Sequence, residues 1–247
     1  MPEMLSAQTL LISGLLGLST VLNIIVPVSG SAIVTPLLAM LVDPYRAIGI
    51  ASFFFFLSAI PRIFFFRKSI QWQEIRTLLL PSGIAAFFGA LALVVVPVRW
   101  LLIIILLFSL YFLLKKLHII PQTKKPSRFL DYVVGLFSGF LQGTGLAGSD
   151  LRNQYLYAQD LNIAEVHGTT ALIGGTNFFV ATVVRLYTNQ LVLPDITPLL
   201  YLFPIIIIAT WLGRKILFKL PKKVSDGIVI GIMTIVVLTF AYAVFLK

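Results

Sequence analysis

The chain has 247 residues, of which 59% are hydrophobic and 11% are charged, and its mean hydropathy is +1.01. A soluble domain has roughly 45–50% apolar and about 25% charged residues, so the composition excludes an ordinary water-soluble fold and predicts an all-α polytopic membrane protein. The net charge of +10 comes from short basic clusters between apolar runs, which is typical of membrane loops. We therefore expect the lipid bilayer, and no nucleic acid, as a partner.

The chain contains no cysteine. Disulfides, thiolate metal sites and a cysteine nucleophile are therefore excluded. We expect the protein to need no metal and no cofactor.

Apolar runs of membrane-spanning length follow one another along the chain. Six of them predict single helices, at residues 45–66, 76–96, 99–117, 166–188, 193–213 and 224–246. Two longer stretches, 8–42 and 130–160, are interrupted near the middle, at Pro27–Ser31 and at Gln142–Asp150. Lipid cannot satisfy the backbone groups that such interruptions release, so they occur only against protein or a watery cavity. Each stretch is therefore predicted to be a helix, a turn and a second helix.

The distribution of Lys and Arg indicates how the interrupted stretches cross the membrane. If each crosses once, ten basic residues lie opposite eight, whereas hairpins that return to their starting side place fourteen opposite four. Because cytoplasmic loops carry the excess of Lys and Arg, hairpins are favoured, in the cell membrane and with both termini extracytoplasmic. The four opposing residues are Arg46, Arg99, Arg185 and Lys247, and Arg62, inside a helix, is in neither count.

Two halves of the chain, 1–122 and 123–247, share an order of sequence features. The corresponding features are Gly30-Ser31 with Gly148-Ser149, Asp43–Ser52 with Asn162–Ala171, and Gly49 with Gly168. A half with one hairpin and three crossings has an odd number of net crossings, so its duplicate enters from the opposite side. The predicted fold is one membrane domain of two inverted repeats, each a broken or re-entrant helical hairpin plus three transmembrane helices. Chance similarity between apolar helices is the alternative.

This order of features resembles the TauE/SafE family of membrane permeases, the sulfite and organosulfur-anion exporters. The segments that carry the resemblance are SGSAIVTPLLAML from Ser29, YRAIGIAS from Tyr45, SGFLQGTGLAGS from Ser138 and AEVHGTTALI from Ala164. The resemblance covers nearly the whole chain. It implies a secondary carrier or facilitator for a small anion, such as sulfite or a sulfonate, that works by alternating access between the repeats. The family's denser glycine runs are reduced here, since the first break has only Gly30 between serines.

The two breaks are the places where an anion could bind. The second limb of each hairpin would begin deep in the membrane with unpaired N–H groups, and such a helix end attracts anions. An ionisable residue beside a membrane break also marks a functional site by default. The candidate substrate-binding residues are Ser29, Gly30, Ser31, Gln142, Gly148, Ser149, Arg152 and Asn177. For a coupling proton the candidates are His167 and Asp150.

Plainer interpretations of these residues stay open at this point. Glycine and serine also let helices pack closely, and Gln142 and Asn177 could make ordinary interhelical hydrogen bonds. Arg152 could lie at the cytoplasmic edge of the membrane or pair with Asp150.

Other functional classes are also open. A membrane-embedded lipid-modifying enzyme would place polar groups at hairpin tips, but the sequence has no HExxH, no dense cluster of acids, and histidines only at His118 and His167. A phosphate-cradling G-x-x-x-x-G-K-[ST] segment is absent too. We expect a transporter and not an enzyme. A channel or an accessory subunit of a membrane complex is the remaining alternative, and a homo-oligomer is compatible with the sequence.

The hairpin arrangement makes a topological prediction. Single cysteines introduced at Ser127 and Thr188 should react with a membrane-impermeant thiol reagent from opposite sides, because one lies in a basic loop and the other follows the span 166–188. One crossing per interrupted stretch would place both on the same side. Labelling of both cysteines from one side would therefore contradict the hairpins.

Overall fold

The computed structural model describes residues 41–93, 128–145, 148–157 and 161–219, with scattered positions between 14 and 39, between 103 and 119, at 159 and between 221 and 242. Within these residues the secondary structure is helical and contains no strand, which confirms the predicted all-α class. The helices are α1 Pro44–Phe66, α2 Trp72–Ala92, α3 Arg128–Gly143, α4 Gly148–Tyr157, α5 Ile163–Tyr187, α6 Leu193–Tyr201 and α7 Phe203–Leu217. A short 3-10 turn, Arg67–Ser69, continues α1.

Three predicted spans coincide with α1, α2 and α5. These helices, with the 3-10 turn counted in α1, are 26, 21 and 25 residues long, and each is apolar enough to cross a bilayer. About 20 helical residues reach across a hydrocarbon core of roughly 30 Å. The predicted spans 99–117 and 224–246 are described only at scattered positions, and the first break, Pro27–Ser31, lies outside the described residues.

Side-chain caps determine where α1 and α5 begin. The Asp43 carboxylate accepts hydrogen bonds from the backbone N–H groups of Tyr45 and Arg46, at 3.0 and 3.2 Å. At the start of α5, the Asn162 side chain accepts from the Glu165 N–H at 3.0 Å, and the Glu165 carboxylate accepts from the Asn162 N–H at 2.8 Å. The two caps occupy positions that the sequence predicts to be equivalent.

The α1 and α5 helices pack side by side in opposite directions. Gly49, near the start of α1, lies against Gln190 and Leu191 just beyond the end of α5. Gly168, near the start of α5, lies against the end of α1, where an added Cβ would stand 2.9 Å from the carbonyl oxygen of Phe66. An inverted repeat requires this antiparallel relation of α1 and α5. The complete repeat involves residues outside the described ranges and stays a prediction.

The predicted span 193–213 is two helices, α6 and α7, with a bend of 50° between them. The prediction of one continuous helix is therefore wrong. Pro204, in the first turn of α7, has no N–H to donate to the carbonyl of Leu200, and its ring would clash there in a straight helix. The start of α6 is held to α1 by an ion pair, in which Nε of Arg46 lies 3.0 Å from Oδ1 of Asp195.

The second interrupted stretch is a helix, a turn and a second helix, as predicted. The α3 helix ends at Gly143, Gly145 takes a left-handed φ of 87° in the turn, and α4 begins at Gly148. The Tyr155 hydroxyl near the end of α4 donates a hydrogen bond to Asp131 in the first turn of α3. The second limb thus returns toward the end where the first began, and the two limbs are antiparallel.

A row of glycines brings the backbones of α2 and α3 together. Gly135, Gly139 and Gly143 are spaced four apart and so share one face of α3. A Cβ added to Gly139 would overlap the backbone of Ser82 in α2, and one added to Gly143 would overlap that of Ala86. Small residues at this spacing are typical of close helix contacts in membranes, where van der Waals packing drives association.

This interface predicts a difference between two glycine substitutions. Gly139→Ala should destabilise the protein by about 1–3 kcal/mol, because one helix must move to admit the methyl group. Gly83→Ala, on the neighbouring α2 helix, is the matched control, since an added Cβ there meets nothing within 4 Å, and alanine favours the helix. Thermal unfolding of the detergent-solubilised proteins measures both. Equal melting temperatures for the two variants would contradict the proposed packing.

Candidate functional site

An internal cavity lies between α1, α3, α4 and α5. The space that the centre of a water-sized sphere can reach inside it is about 20 Å³, and all the space between its atoms, including the part open to solvent, is about 430 Å³. Phe55 and Phe178, whose ring centroids are 5.2 Å apart, form an apolar part of the wall. The polar residues that line it are Asn23, Arg62, Gln142, Ser149, Arg152, Asn153, His167 and Thr170. A polar cavity among membrane helices is where interruptions of a helix can be tolerated.

Arg152, in α4, is fully buried and belongs to a hydrogen-bond network that joins four helices. Its Nη1 donates to Oε1 of Gln142 in α3 at 3.1 Å. The same oxygen accepts from Nδ2 of Asn177 in α5 at 3.0 Å, and Oδ1 of Asn177 accepts from the Ser82 hydroxyl in α2 at 3.2 Å. One amide oxygen is therefore shared by the guanidinium group and by a second side chain.

Two features of α5 make room for α4 and hold it. Gly174 leaves the space that the guanidinium group fills, since an added Cβ would stand 2.9 Å from Nη2 of Arg152 and 3.2 Å from Nε2 of Gln142. One turn earlier, the Thr170 hydroxyl donates to Oδ1 of Asn153 at 2.7 Å. Polar contacts that depend on a glycine thus hold α4 to α5, beside an apolar cluster that contains Leu156 of α4 and Ile173 of α5.

Arg62, near the end of α1, is the second arginine at the cavity. Its Nε and Nη2 donate to the carbonyl and the hydroxyl of Ser58, at 3.2 and 3.3 Å, and its Nη1 donates to Oδ1 of Asn23 at 3.4 Å. All of these acceptors are neutral. The described residues lining the cavity include no acid.

His167 lines the same cavity from the start of α5. Its ring packs on Phe66, with 5.6 Å between the centroids, and its Nε2 is buried with no hydrogen-bond partner in the described part of the chain. Its role in carrying a coupling proton stays a prediction.

Comparison with known protein families now adds to this geometry. Residues 10–240 match the family model of the sulfite exporter TauE/SafE. The chain belongs to the TauE/SafE family. No match to a curated protein or to a solved structure was found. Membership implies a membrane transporter of sulfite or related anions and is consistent with a protein that is not an enzyme.

Several candidates that the sequence suggested for this TauE/SafE chain meet at the cavity, namely Gln142, Ser149, Arg152 and His167. Asn177 is one hydrogen bond away, through Gln142. Gly148 is not among the described residues lining the cavity, and it packs closely on the carbonyl of Ser138. Outside the described residues lie Ser29, Gly30, Ser31 and the side chain of Asp150, so their part in the site stays a prediction.

Sequence reasoning missed Arg62, which was left out of the charge counts because it lies within a helix. The rule that an ionisable residue inside a span marks a functional site is the signal that would have found it. Asn23 and Thr170 carry no such signal, since neutral polar residues also serve as hydrogen-bonding partners between membrane helices. Only the fold shows that they face the cavity.

A third arginine is buried away from the cavity. Arg185, counted from the sequence among the extracytoplasmic charges, is fully buried near the end of α5. It donates to the Ser52 hydroxyl and to the carbonyl of Gly143 at the end of α3, where a cation is favoured by the helix dipole. Leaving out Arg185 and the buried Arg152 changes the split to thirteen against three, so the charge bias remains.

The Gln142 amide oxygen, which accepts from both Arg152 and Asn177, should contribute to stability. Gln142→Met keeps a similar volume but removes the oxygen that Arg152 and Asn177 both use, so the free energy of unfolding should fall by about 1–3 kcal/mol. Gln73→Met is the matched control, because Gln73 is exposed on α2 and its replacement should change little. Thermal unfolding in detergent compares the two variants. A Gln142→Met protein as stable as the control would show that the network contributes nothing to the fold.

Proposed function

We propose that this protein is a secondary carrier or facilitator for a small sulfur oxyanion, sulfite or a sulfonate, and that the cavity between α1, α3, α4 and α5 binds it. The observation that carries this proposal is the complete burial of Arg152 beside a polar cavity inside a bundle of apolar helices. Burying a guanidinium group in such a place costs free energy, so an ionisable residue there marks a functional site by default. The family of the chain supports the same class of substrate.

The chemistry of the lining suits an oxyanion. A guanidinium group offers a planar fork of donors that can make two parallel charge-assisted hydrogen bonds to two oxygens of a sulfonate or sulfite. Ser149, in the first turn of α4, adds a hydroxyl at a helix end whose dipole is positive. The burial of Arg152 favours this role over that of a headgroup anchor, which would extend to the membrane surface.

We further propose that access to the cavity alternates between the two sides of the membrane. The antiparallel packing of α1 on α5 supports this, because inverted repeats around a central site are the usual basis of alternating access. The lipid-modifying enzyme considered from the sequence is not favoured by the family.

Arg152→Lys tests the site. Lysine keeps the charge but lacks the fork, so sulfite affinity should fall by roughly 1–3 kcal/mol, and sulfite flux into proteoliposomes at limiting concentration should fall with it. Arg76→Lys is the matched control, because Arg76 is exposed on α2 and the change should be silent.

The comparison requires that both variants melt near the wild-type temperature without ligand. Sulfite should then raise the melting temperature of the wild type more than that of Arg152→Lys, since a ligand that binds only the folded state stabilises it. Unchanged affinity in a folded Arg152→Lys protein would remove Arg152 from the site. Absence of flux in the wild type would refute the transport of sulfite.

A further inference from the structure

Contacts from two directions fix the ring of His167 at the cavity. The ring packs on Phe66 of α1, with the centroids 5.6 Å apart, and a hydrogen bond joins it to the backbone of Ile24. Arg62 is held by the neighbours of these two residues. Its Nη1 donates to Oδ1 of Asn23 at 3.4 Å, and it lies four residues before Phe66, on the same face of α1. The imidazole and this guanidinium group are therefore held near one another at the cavity that both line.

The hydrogen bond to Ile24 determines which nitrogen of the His167 ring is a donor. Nε2 is buried with no hydrogen-bond partner in the described part of the chain, so the bond to Ile24 involves Nδ1. Ile24 is helical, and a helical N–H bonds to the carbonyl four residues earlier. The Ile24 carbonyl is therefore the acceptor, and Nδ1 donates to it. In the neutral ring the other nitrogen carries a lone pair, so Nε2 is an acceptor.

This acceptor lacks a donor among the described residues around it. Only 6% of His167 is exposed, and a buried polar atom that stays unpaired costs about 1–3 kcal/mol. Arg62 directs its three nitrogens to Ser58 and Asn23. A molecule in the cavity that carries its own O–H or N–H group would complete the hydrogen bond to Nε2.

We propose that Nε2 of His167 accepts a hydrogen bond from the bound anion, so that the cavity selects an oxyanion that carries its own O–H or N–H donor. The inference rests on the proposed function and adds a specificity-determining residue to it. A site with a buried group that pairs with one part of a ligand rejects an analogue that lacks this part, because the buried group is then left unpaired. Discrimination by His167 would therefore act on the donor of the anion and not on its charge.

The test compares two anions of the same shape, methylphosphonate and methanesulfonate. Each has a methyl group and three oxygens on a tetrahedral centre. At a mildly acidic pH both carry one negative charge, but only methylphosphonate retains an O–H group. Calorimetric titrations of the purified protein at this pH and at one ionic strength should show methylphosphonate bound about tenfold more tightly by the wild type, the scale of one hydrogen bond to a buried partner.

Two variants assign the preference to His167. His167→Phe keeps a ring against Phe66 but has no acceptor, so the ratio of the two affinities should fall to near one. Gln73→Met, at an exposed position of α2, is the control and should leave the ratio unchanged. The wild-type comparison tests the inference even if His167→Phe does not fold.

Equal affinity of the wild type for the two anions would overturn the inference, and so would failure of methylphosphonate to bind. Equal affinity is the result expected of a protonated ring, whose Nε2–H would donate to either anion. A preference for methylphosphonate that persists in folded His167→Phe would overturn the inference as well. If sulfite is still transported in these cases, the proposed function stands without this contact. If neither anion binds and sulfite is not transported, both proposals fail.

Discussion

A guanidinium group inside a bundle of apolar helices needs hydrogen-bond acceptors, and the amide oxygen of Gln142 supplies one to Arg152. The amide oxygen of Gln142 accepts hydrogen bonds from Arg152 and from Asn177. It therefore constrains the position of α4 relative to both α3 and α5. Asn177 extends the same network to Ser82 in α2. A side chain that accepted only one hydrogen bond at this position would lose the contact with either Arg152 or Asn177. The network is one of the contacts that position α4, which is only 10 residues long.

The hydrogen bonds in turn depend on the glycines of α3. Ser82 reaches Asn177 because the backbone of α2 lies directly against Gly139, and a larger residue would move the two helices apart. Apolar burial gives little preference for one helix partner over another in lipid, whereas close packing and interhelical hydrogen bonds do. The contact between α2 and α3 therefore contributes close packing at the glycines, and the hydrogen bond from Ser82 to Asn177 joins α2 to α5.

Much of the fold could be predicted from the sequence, because the lengths of the apolar runs indicate the spans and the residues that interrupt the runs indicate the breaks. The ends of α1 and α5 follow from their caps and apolar runs, and the turn after Gly143 follows from its glycines. The position of the bend before Pro204 could not be predicted, since proline is tolerated in membrane helices when neighbouring groups satisfy the backbone groups that it releases.

For the site, Arg152 was found because it lies beside a break, whereas hydropathy does not show which face of α1 carries Arg62. Arg185 was counted among the extracytoplasmic charges because it lies near the end of its helix.

The packing also limits how access to the cavity can change. The pairs α1 with α5 and α2 with α3 each join one half of the chain to the other, and both rely on glycines whose neighbours are backbone atoms. Rocking the halves as two separate bodies would break both interfaces, which close-packed helices resist. The α4 helix is held differently at its far end, by side-chain hydrogen bonds such as Thr170 with Asn153 and Tyr155 with Asp131. An anion bound by Arg152 in the cavity would contact α4 directly, so its arrival and departure would change the constraint on a helix whose far end is held by side-chain hydrogen bonds.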